Sequence, residues 1–343
     1  MAVTHWYFLL LPLVVLAVMS LLRFRGCSFD PSGIPGQPDQ YGTAVTADNP
    51  TAWFRLEETA GPSAKNEEGP PNGTYSTASS PLSAGNPLWH SQSVPTTALK
   101  FAINNPSLVP LESQDPFDFS VRFQGSQVVA NVPALLGLTE FTLEALVYAD
   151  WDLTATGNYY CVMELAGIPN AATNIKGAGF GLYAGPSLDV ANPNSPYSWQ
   201  AWMGDGADFY RLEEMKPYNP PDPANTGPLV EKDNATYLAF TFSQSQDQAF
   251  LYLFTQDRDL DYVAYQLIPA GYKAVVAGIN SQGLQIGATA QGPLFNPPAP
   301  ATIPVLYPFI GQMANVAIYN KVLTESQLRQ HAIAAFFLNS PST

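Results

Sequence analysis

Trp199, Trp202, the run Gly204-Asp205-Gly206 and Tyr210 gather in one short stretch the side chains that hold sugars. Indole and phenol rings offer apolar faces on which a sugar ring stacks, and a carboxylate accepts from its hydroxyls. Trp199 and Trp202 stand three positions apart, so an ideal strand turns them to opposite faces and at least one belongs to a core. A purely structural strand and turn therefore stands beside recognition as a reading of the same residues. Carboxylates are densest at Glu213-Glu214 and at Asp257, Asp259 and Asp261, the latter three alternating along one strand face as a solvated edge does. His5, His90 and His331 are the only histidines and form no zinc-binding spacing. Neither a Gly-x-Ser-x-Gly elbow nor a phosphate-binding loop is present.

The elements that must position these residues are strands. Phe141, Leu143, Ala145 and Val147 alternate with Thr142, Glu144, Leu146 and Tyr148, which predicts a strand with the first set in the core. The period-two pattern repeats over 52–57, 159–165, 179–184, 237–242, 250–256 and 262–267, with a short strand near Val128–Val132 and a hairpin connection over Ser243–Gln248. Toward the C-terminus, Ala314, Val316 and Ile318 alternate with Met313, Asn315, Ala317 and Tyr319. Asn320-Lys321 then turns the chain, and Thr324 with Gln327 three residues on has the spacing of a capping box. Leu328, His331, Ala332 and Ala335 follow at helical intervals, so a short helix packing back on a sheet is expected. Many short strands, polar turns and little helix predict an all-β, two-sheet antiparallel sandwich.

Bulk composition agrees. Charged residues are 12% of the chain, with 32 Pro and 25 Gly, a composition of turns rather than long helices. The net charge of −14, from 28 acidic against 14 basic residues, leaves no basic stripe to neutralise phosphates, so nucleic acid is not the expected partner. Trp6–Leu22 is an apolar run just long enough to span a bilayer, followed by Arg23 and Arg25. We read residues 1–27 as a retained membrane anchor, with a cleaved signal or lipidation at Cys27 as the alternatives. Two arginines after the run would by themselves place the C-terminal side in the cytoplasm. Residues 28–44 are rich in Pro, Gly and polar side chains and read as a tether, 45–338 as a single domain and 339–343 as a tail. Cys161, in a predicted strand, is expected to be a small buried hydrophobe rather than half of a disulfide.

Phe309, Gly311, Met313, Val316, Ile318, Tyr319, Asn320, Leu323, Thr324 and Gln327 together carry a resemblance to the laminin-G-like, concanavalin A-like lectin–glucanase family. Further pieces follow in the family's order: AWFRLEET from Ala52, FTLEALVYADW from Phe141, GFGLY from Gly179, WQAWMGDG from Trp199, TYLAFTFSQ from Thr236 and LQIGA from Leu284. The resemblance spans most of residues 45–338 and implies a jelly-roll sandwich displayed outside the cytoplasmic membrane, at the cell surface or in the periplasm. It also implies calcium in some members, held by the first loop, where Asn66 stands in place of an Asp, with Glu67 beside it. Relatives that hydrolyse glucans carry a strand with Glu-x-Asp-x-x-Glu or Glu-x-Asp-x-Glu, and this chain has no such triplet.

The expected function is a membrane-tethered, non-catalytic recognition or adhesion module that binds carbohydrate through Trp199, Trp202, Asp205 and Tyr210. A structural or protein-binding module without a sugar site is the alternative, and an unrecognised glycoside hydrolase the third.

Overall fold

Alternating apolar residues become two antiparallel sheets of eight strands each, and the residues that alternate inward meet between them. The computed structural model describes residues 40–56, 58, 62–77, 99–100, 119–124, 126–151, 159–167, 178–186, 197–205, 209–212, 230, 235–255, 258–272, 281–288 and 307–336. The predicted anchor at 6–22, Cys27, most of the tether and the tail lie outside these residues, as do Glu213-Glu214 and Asp257. Among the described residues no helix is long and apolar enough to cross a membrane.

The strands run, in chain order, β1 Ala52–Phe54, β2 Ser63–Ala64, β3 Gly73–Thr77, β4 Leu99–Lys100, β5 Phe119–Gln124, β6 Ser126–Ala130, β7 Glu140–Ala149 and β8 Tyr160–Gly167. They continue as β9 Ala178–Pro186, β10 Tyr197–Asp205, β11 Phe209–Leu212, β12 Ala235–Ser243, β13 Gln248–Thr255, β14 Arg258–Leu267, β15 Ser281–Ile286 and β16 Ile310–Tyr319. The first sheet has the order β14-β13-β12-β7-β16-β5-β4, with β1 also on β16; the second is β11-β10-β9-β8-β15-β6-β3-β2. Phe141 of β7 and Phe180 of β9 meet across the interior with ring centroids 4.5 Å apart, and Phe240 and Phe242 each lie 5.4 Å from Phe141. Trp151 closes one region of this core, stacked on Tyr160 at 4.2 Å and edge-on to Trp199 and Phe309.

Two α-helices are described, α1 at Gln40–Ala47 and α2 at Glu325–Phe336, besides a single 3-10 turn at Pro133–Leu135. The capping box forms as the spacing predicts: the Thr324 N–H donates to Gln327 Oε1 at 3.0 Å and the Gln327 N–H to Thr324 Oγ1 at 3.3 Å. Residues 40–44, read from composition as the end of the tether, instead begin α1. Tyr41 and Val45, one turn apart, are buried there, and Asn49 at φ 48° ends the helix in the left-handed region. An eight-residue helix does not hold itself together in water, so its stability comes from the surface it covers.

That surface is the outer face of the first sheet, where Trp53, Leu146, Tyr237, Ala317 and Tyr319 form a second apolar cluster with Leu328, Ala332 and Phe336 of α2. The alternation expected for β16 is broken on the way. A bulge between Ala314 and Ala317 inserts Asn315 at φ 53°, so that Met313, Val316 and Ile318 face the inter-sheet core while Ala314, Ala317 and Tyr319 face the helices. Ala314 thereby leaves the face on which simple alternation puts it.

Candidate functional site

The outer face of the second sheet carries the polar and aromatic residues that the inner face excludes. Along β10 the residues Ser198, Gln200 and Trp202 alternate outward, tied to one another: the Trp202 Nε1–H donates to Gln200 Oε1 at 3.1 Å and Gln200 Nε2 to Ser198 Oγ at 3.2 Å. The register then sets a row across the sheet. Gln285 of β15 pairs with Glu164 of β8, Glu164 with Gly181 of β9, Gly181 with Trp202, and Trp202 with Arg211 of β11. A neighbouring row joins Cys161, Tyr183 and Gln200. The register shift between Cys161 and Met163 sends both Val162 and Met163 into the core and leaves Cys161 and Glu164 together on the outer face. The Arg211 guanidinium lies 4.9 Å from the centroid of the Trp202 ring.

Glycine makes the room. Gly181 and Gly185 flank Tyr183 on this face, and a Cβ at Gly185 would meet a Tyr159 ring carbon at 2.4 Å, while one at Gly181 would meet Tyr183 at 2.8 Å and the Met163 carbonyl at 3.0 Å. Rings can lie against the sheet only because those two side chains are missing. Burial, with the Glu164 carboxylate next in importance, pushes both the Cys161 thiol and the Tyr183 phenol well above their ordinary pKa values, so both stay neutral through the physiological range.

The four residues singled out for sugar binding are not brought together. Trp199 is 1% exposed in the inter-sheet core, edge-on to Trp151. Tyr210 packs against that same core, 5.0 Å from Tyr272. Asp205 ends β10, partly exposed, and Gly206 lies outside the described residues. Trp202 alone takes the outer face, at 2% exposure, with Cys161, Tyr183 and Tyr307 around it. Sequence reasoning overlooked Glu164, Tyr183, Gln200, Arg211 and Gln285. The run Gly179-x-Gly181-x-Tyr183-x-Gly185, three glycines and a tyrosine at period two, was the available signal.

In the first loop, Asn66 is 4% exposed and its Oδ1 accepts from the backbone N–H of Trp53 at 2.9 Å and of Glu68 at 3.3 Å. The Glu67 carboxylate pairs with Lys65 at 2.6 Å. Both groups are thus already engaged by protein donors. Among the described residues no group of three or more His, Cys, Asp or Glu is arranged to hold a metal ion.

A second polar cluster lies under the helices. Glu144 of β7, fully buried, accepts from four side chains: Tyr41 of α1 at 3.0 Å and Tyr319 of β16 at 2.8 Å on Oε1, and Tyr237 of β12 at 2.5 Å and His331 of α2 at 2.9 Å on Oε2. The other His331 nitrogen, Nε2, lies 3.1 Å from the Asp48 carboxylate just past α1, and Asp48 also accepts from Gln327. Burial alone would raise the Glu144 carboxyl, but the His331 imidazolium and the tyrosine hydroxyls outweigh it and hold the group below its ordinary value. Burial likewise works against the charged imidazole, and the two carboxylates more than reverse it, raising His331. Both shifts favour the ionised form of the pair. Residue types match a catalytic relay, yet both ring nitrogens end on carboxylates and none of these contacts brings a Ser or Cys nucleophile.

No family model matches the chain, and no curated protein matches it. Among solved structures it is similar to a Bacteroides ovatus protein provisionally named as carbohydrate binding, at 17% identity and TM-score 0.39, covering 62% of this chain and 46% of that one. Domain 4 of an extracellular arabinanase from Geobacillus stearothermophilus, solved with arabinotriose, aligns at 11% identity and TM-score 0.42 over 82% of this chain and 98% of that domain. The carbohydrate-binding module of a Ruminococcus gnavus sialidase, solved with α2,3-sialyllactose, aligns at 15% identity and TM-score 0.36 over 58% of this chain and 84% of that one. At such low identity and TM-score these likenesses lend no weight to any ligand or activity here.

Proposed function

We propose that this chain is a concanavalin A-like jelly roll of the laminin-G-like kind, tethered to a membrane through residues 6–22 and displayed outside the cytoplasm, where it acts as a non-catalytic module binding carbohydrate. The observation that carries the reading is the row Gln285, Glu164, Trp202 and Arg211 across the outer face of the second sheet, flanked by Tyr183 and Gln200. It joins an indole for stacking to amide, carboxylate and guanidinium groups for hydroxyls, on strands that hold them rigidly. Trp202 is the one residue of the original set retained in it. For a sugar to stack on that ring the Arg211 guanidinium must swing aside, and Arg211 is only partly buried.

The burial of Trp202, Glu164 and Gln200 favours the second reading, a structural or protein-binding module in which this layer simply packs. Hydrolysis, the third reading, needs two facing carboxylates, and among the described residues that β6, β8, β9, β10 and β15 turn outward only Glu164 is acidic. A glycan panel probed with the full chain separates the first two readings. Saturable binding that Trp202→Phe preserves and Gln200→Ala weakens, at unchanged melting temperature, supports recognition; a blank panel with folded protein transfers the weight to packing. Repeating the panel with calcium and with a chelator tests calcium at Asn66 and Glu67, since a bound ion would make binding chelator-sensitive.

A further inference from the structure

Two ties of α1 to the sandwich converge on one imidazole. His331 of α2, buried, has Nδ1 2.9 Å from Glu144 Oε2 and Nε2 3.1 Å from Asp48 Oδ2, so both ring nitrogens face carboxylates. Asp48 directly follows α1, and the Tyr41 hydroxyl of α1 donates to the same Glu144 at 3.0 Å. Only a protonated ring carries hydrogens on both nitrogens and can donate to both carboxylates. Asp48 Oδ1 is met separately, by Gln327 Nε2 at 2.5 Å and by the Lys321 ammonium at 3.7 Å. Tyr41 of α1 and Tyr319 of β16 stand 6.2 and 6.3 Å from the imidazole, centroid to centroid, and Tyr237 of β12 donates to Glu144 Oε2. Burial, with the Glu144 carboxylate next, pushes the Tyr237 and Tyr319 phenols well up and keeps them neutral. On α2 itself, Glu325 and Arg329 pair with each other at 3.4 Å.

When the ring gives its proton to solvent, one nitrogen presents a lone pair to a carboxylate. The two carboxylates are not equivalent. Glu144 is fully buried and cannot replace a lost donor with water, whereas Asp48, its side chain 17% exposed, can. The remaining hydrogen therefore stays on Nδ1, and Nε2 and Asp48 part. Burial lowers the pKa of the ring, but Glu144 and Asp48 more than reverse it. The tie is thus complete below the ordinary 6.5 and is lost as pH rises through the higher, folded value. The loosened stretch ends at β1, where the Thr51 N–H donates to the Ile318 carbonyl at 2.7 Å and the Asn320 N–H to Thr51 Oγ1 at 3.1 Å. We propose that α1 is a clasp locked by the doubly bonded ring of His331 and released, ahead of the sandwich, when that ring loses its proton. An eight-residue helix without its support does not persist, and its residues lengthen from about 12 Å to about 26 Å when extended. Release extends the reach of the chain preceding β1 and withdraws Tyr41 and Val45 from the apolar cluster under the helices.

The test is amide hydrogen exchange of the full chain, read as protection factors across the His331 titration, with the ring followed by nitrogen NMR in the same samples. Protection of the amides at 44–48 is expected to hold on the acid side and to fall by about tenfold to a hundredfold with the midpoint of the ring. The β12 amides at 237–242 should keep their protection, and the neutral ring should carry its hydrogen on Nδ1. Asp48→Asn supplies an amide that can turn to accept from an Nε2–H or donate to a bare Nε2, so the coupled fall should disappear. Lys321→Gln removes the more distant cation and should leave the fall in place. If Asp48→Asn fails to fold, the profile of the unaltered chain decides. Flat protection at 44–48 through the ring titration, equal loss at 44–48 and in β12, or a neutral ring protonated on Nε2 overturns the proposal. A fall that persists unchanged in Asp48→Asn, or one that vanishes in Lys321→Gln, overturns it too.

Discussion

Replacing Glu144 by Gln tests the physics of the buried cluster most directly. The four contacts it accepts fill the acceptor capacity of a carboxylate, two donors on each oxygen. An amide is nearly isosteric but turns one of those oxygens into a donor, which then faces two donors, and it removes the charge that balances His331. Removing one partner of a buried ion pair costs about 3–5 kcal/mol, mostly because the other charge is left uncompensated. For a domain of this length, near 2 °C per kcal/mol, the melting temperature should fall by roughly 6–10 °C between the two groups' ordinary values of 4.5 and 6.5, where both are charged. The pH profile adds a sign. Glu144 is held below its ordinary value of 4.5, so its contribution is complete above 4.5 and is lost as pH falls through the lower, folded value. His331 is raised above its ordinary 6.5, so its contribution is complete below 6.5 and is lost as pH rises through the higher, folded value. The pair therefore stabilises most between these two ordinary values. Glu144→Gln leaves Asp48 as the only carboxylate on the imidazole, so the alkaline limb should shift to lower pH. Thermal melts from pH 4 to 9 on both proteins, with the His331 ring titration followed by NMR, read both effects. A loss below about 1 kcal/mol, or an unmoved alkaline limb, would refute an ionised buried pair.

Other substitutions probe the remaining layers. Trp199→Ala empties part of the inter-sheet core and should cost about 3–5 kcal/mol in denaturant melts, whatever ligand is present. Gly181→Ala drives a methyl at the Met163 backbone carbonyl and should cost about 1–3 kcal/mol; Gly185→Ala should cost less, since the Tyr159 ring it meets is partly exposed and can turn. Thr324→Ala removes one half of the capping box and should destabilise α2 by about 1 kcal/mol, detected as faster amide exchange in its first turn.

The strands and the closing helix were legible because their signals are local. Alternation in 141–148 and the Thr324–Gln327 spacing each depend on a few neighbouring residues, and tertiary contacts reinforced rather than overrode them. What escaped is non-local. Tyr41 and Val45 supply two apolar residues within a polar, Gly- and Pro-rich run, and α1 exists because α2 and β1 offer a surface for them. The Asn315 bulge is invisible to a pattern that assumes period two. For the candidate site, the spacing of Trp199 and Trp202 correctly implied opposite faces, but which indole faced outward depended on the register of β9 and β10. Glu164 could not be linked to Trp202 without that pairing either, because the two meet only through Gly181.

The two buried glutamates show how geometry separates a clasp from a candidate contact. Glu144 is saturated by donors from α1, α2, β12 and β16, so it binds four elements to β7 and has no acceptor site left for a ligand. Its network also roofs the outer face of the first sheet with both described helices. Glu164 lies on the opposite sheet, beside a neutral thiol and a neutral phenol, in a row that ends on Arg211 and Trp202. No helix among the described elements packs on that row. Both layers are buried, so the decisive comparison is between two conservative changes. Glu144→Gln should lower stability without altering ligand affinity measured below its melting temperature. Glu164→Gln should change affinity with a smaller loss of stability. The reverse pattern would exchange the roles of the two faces.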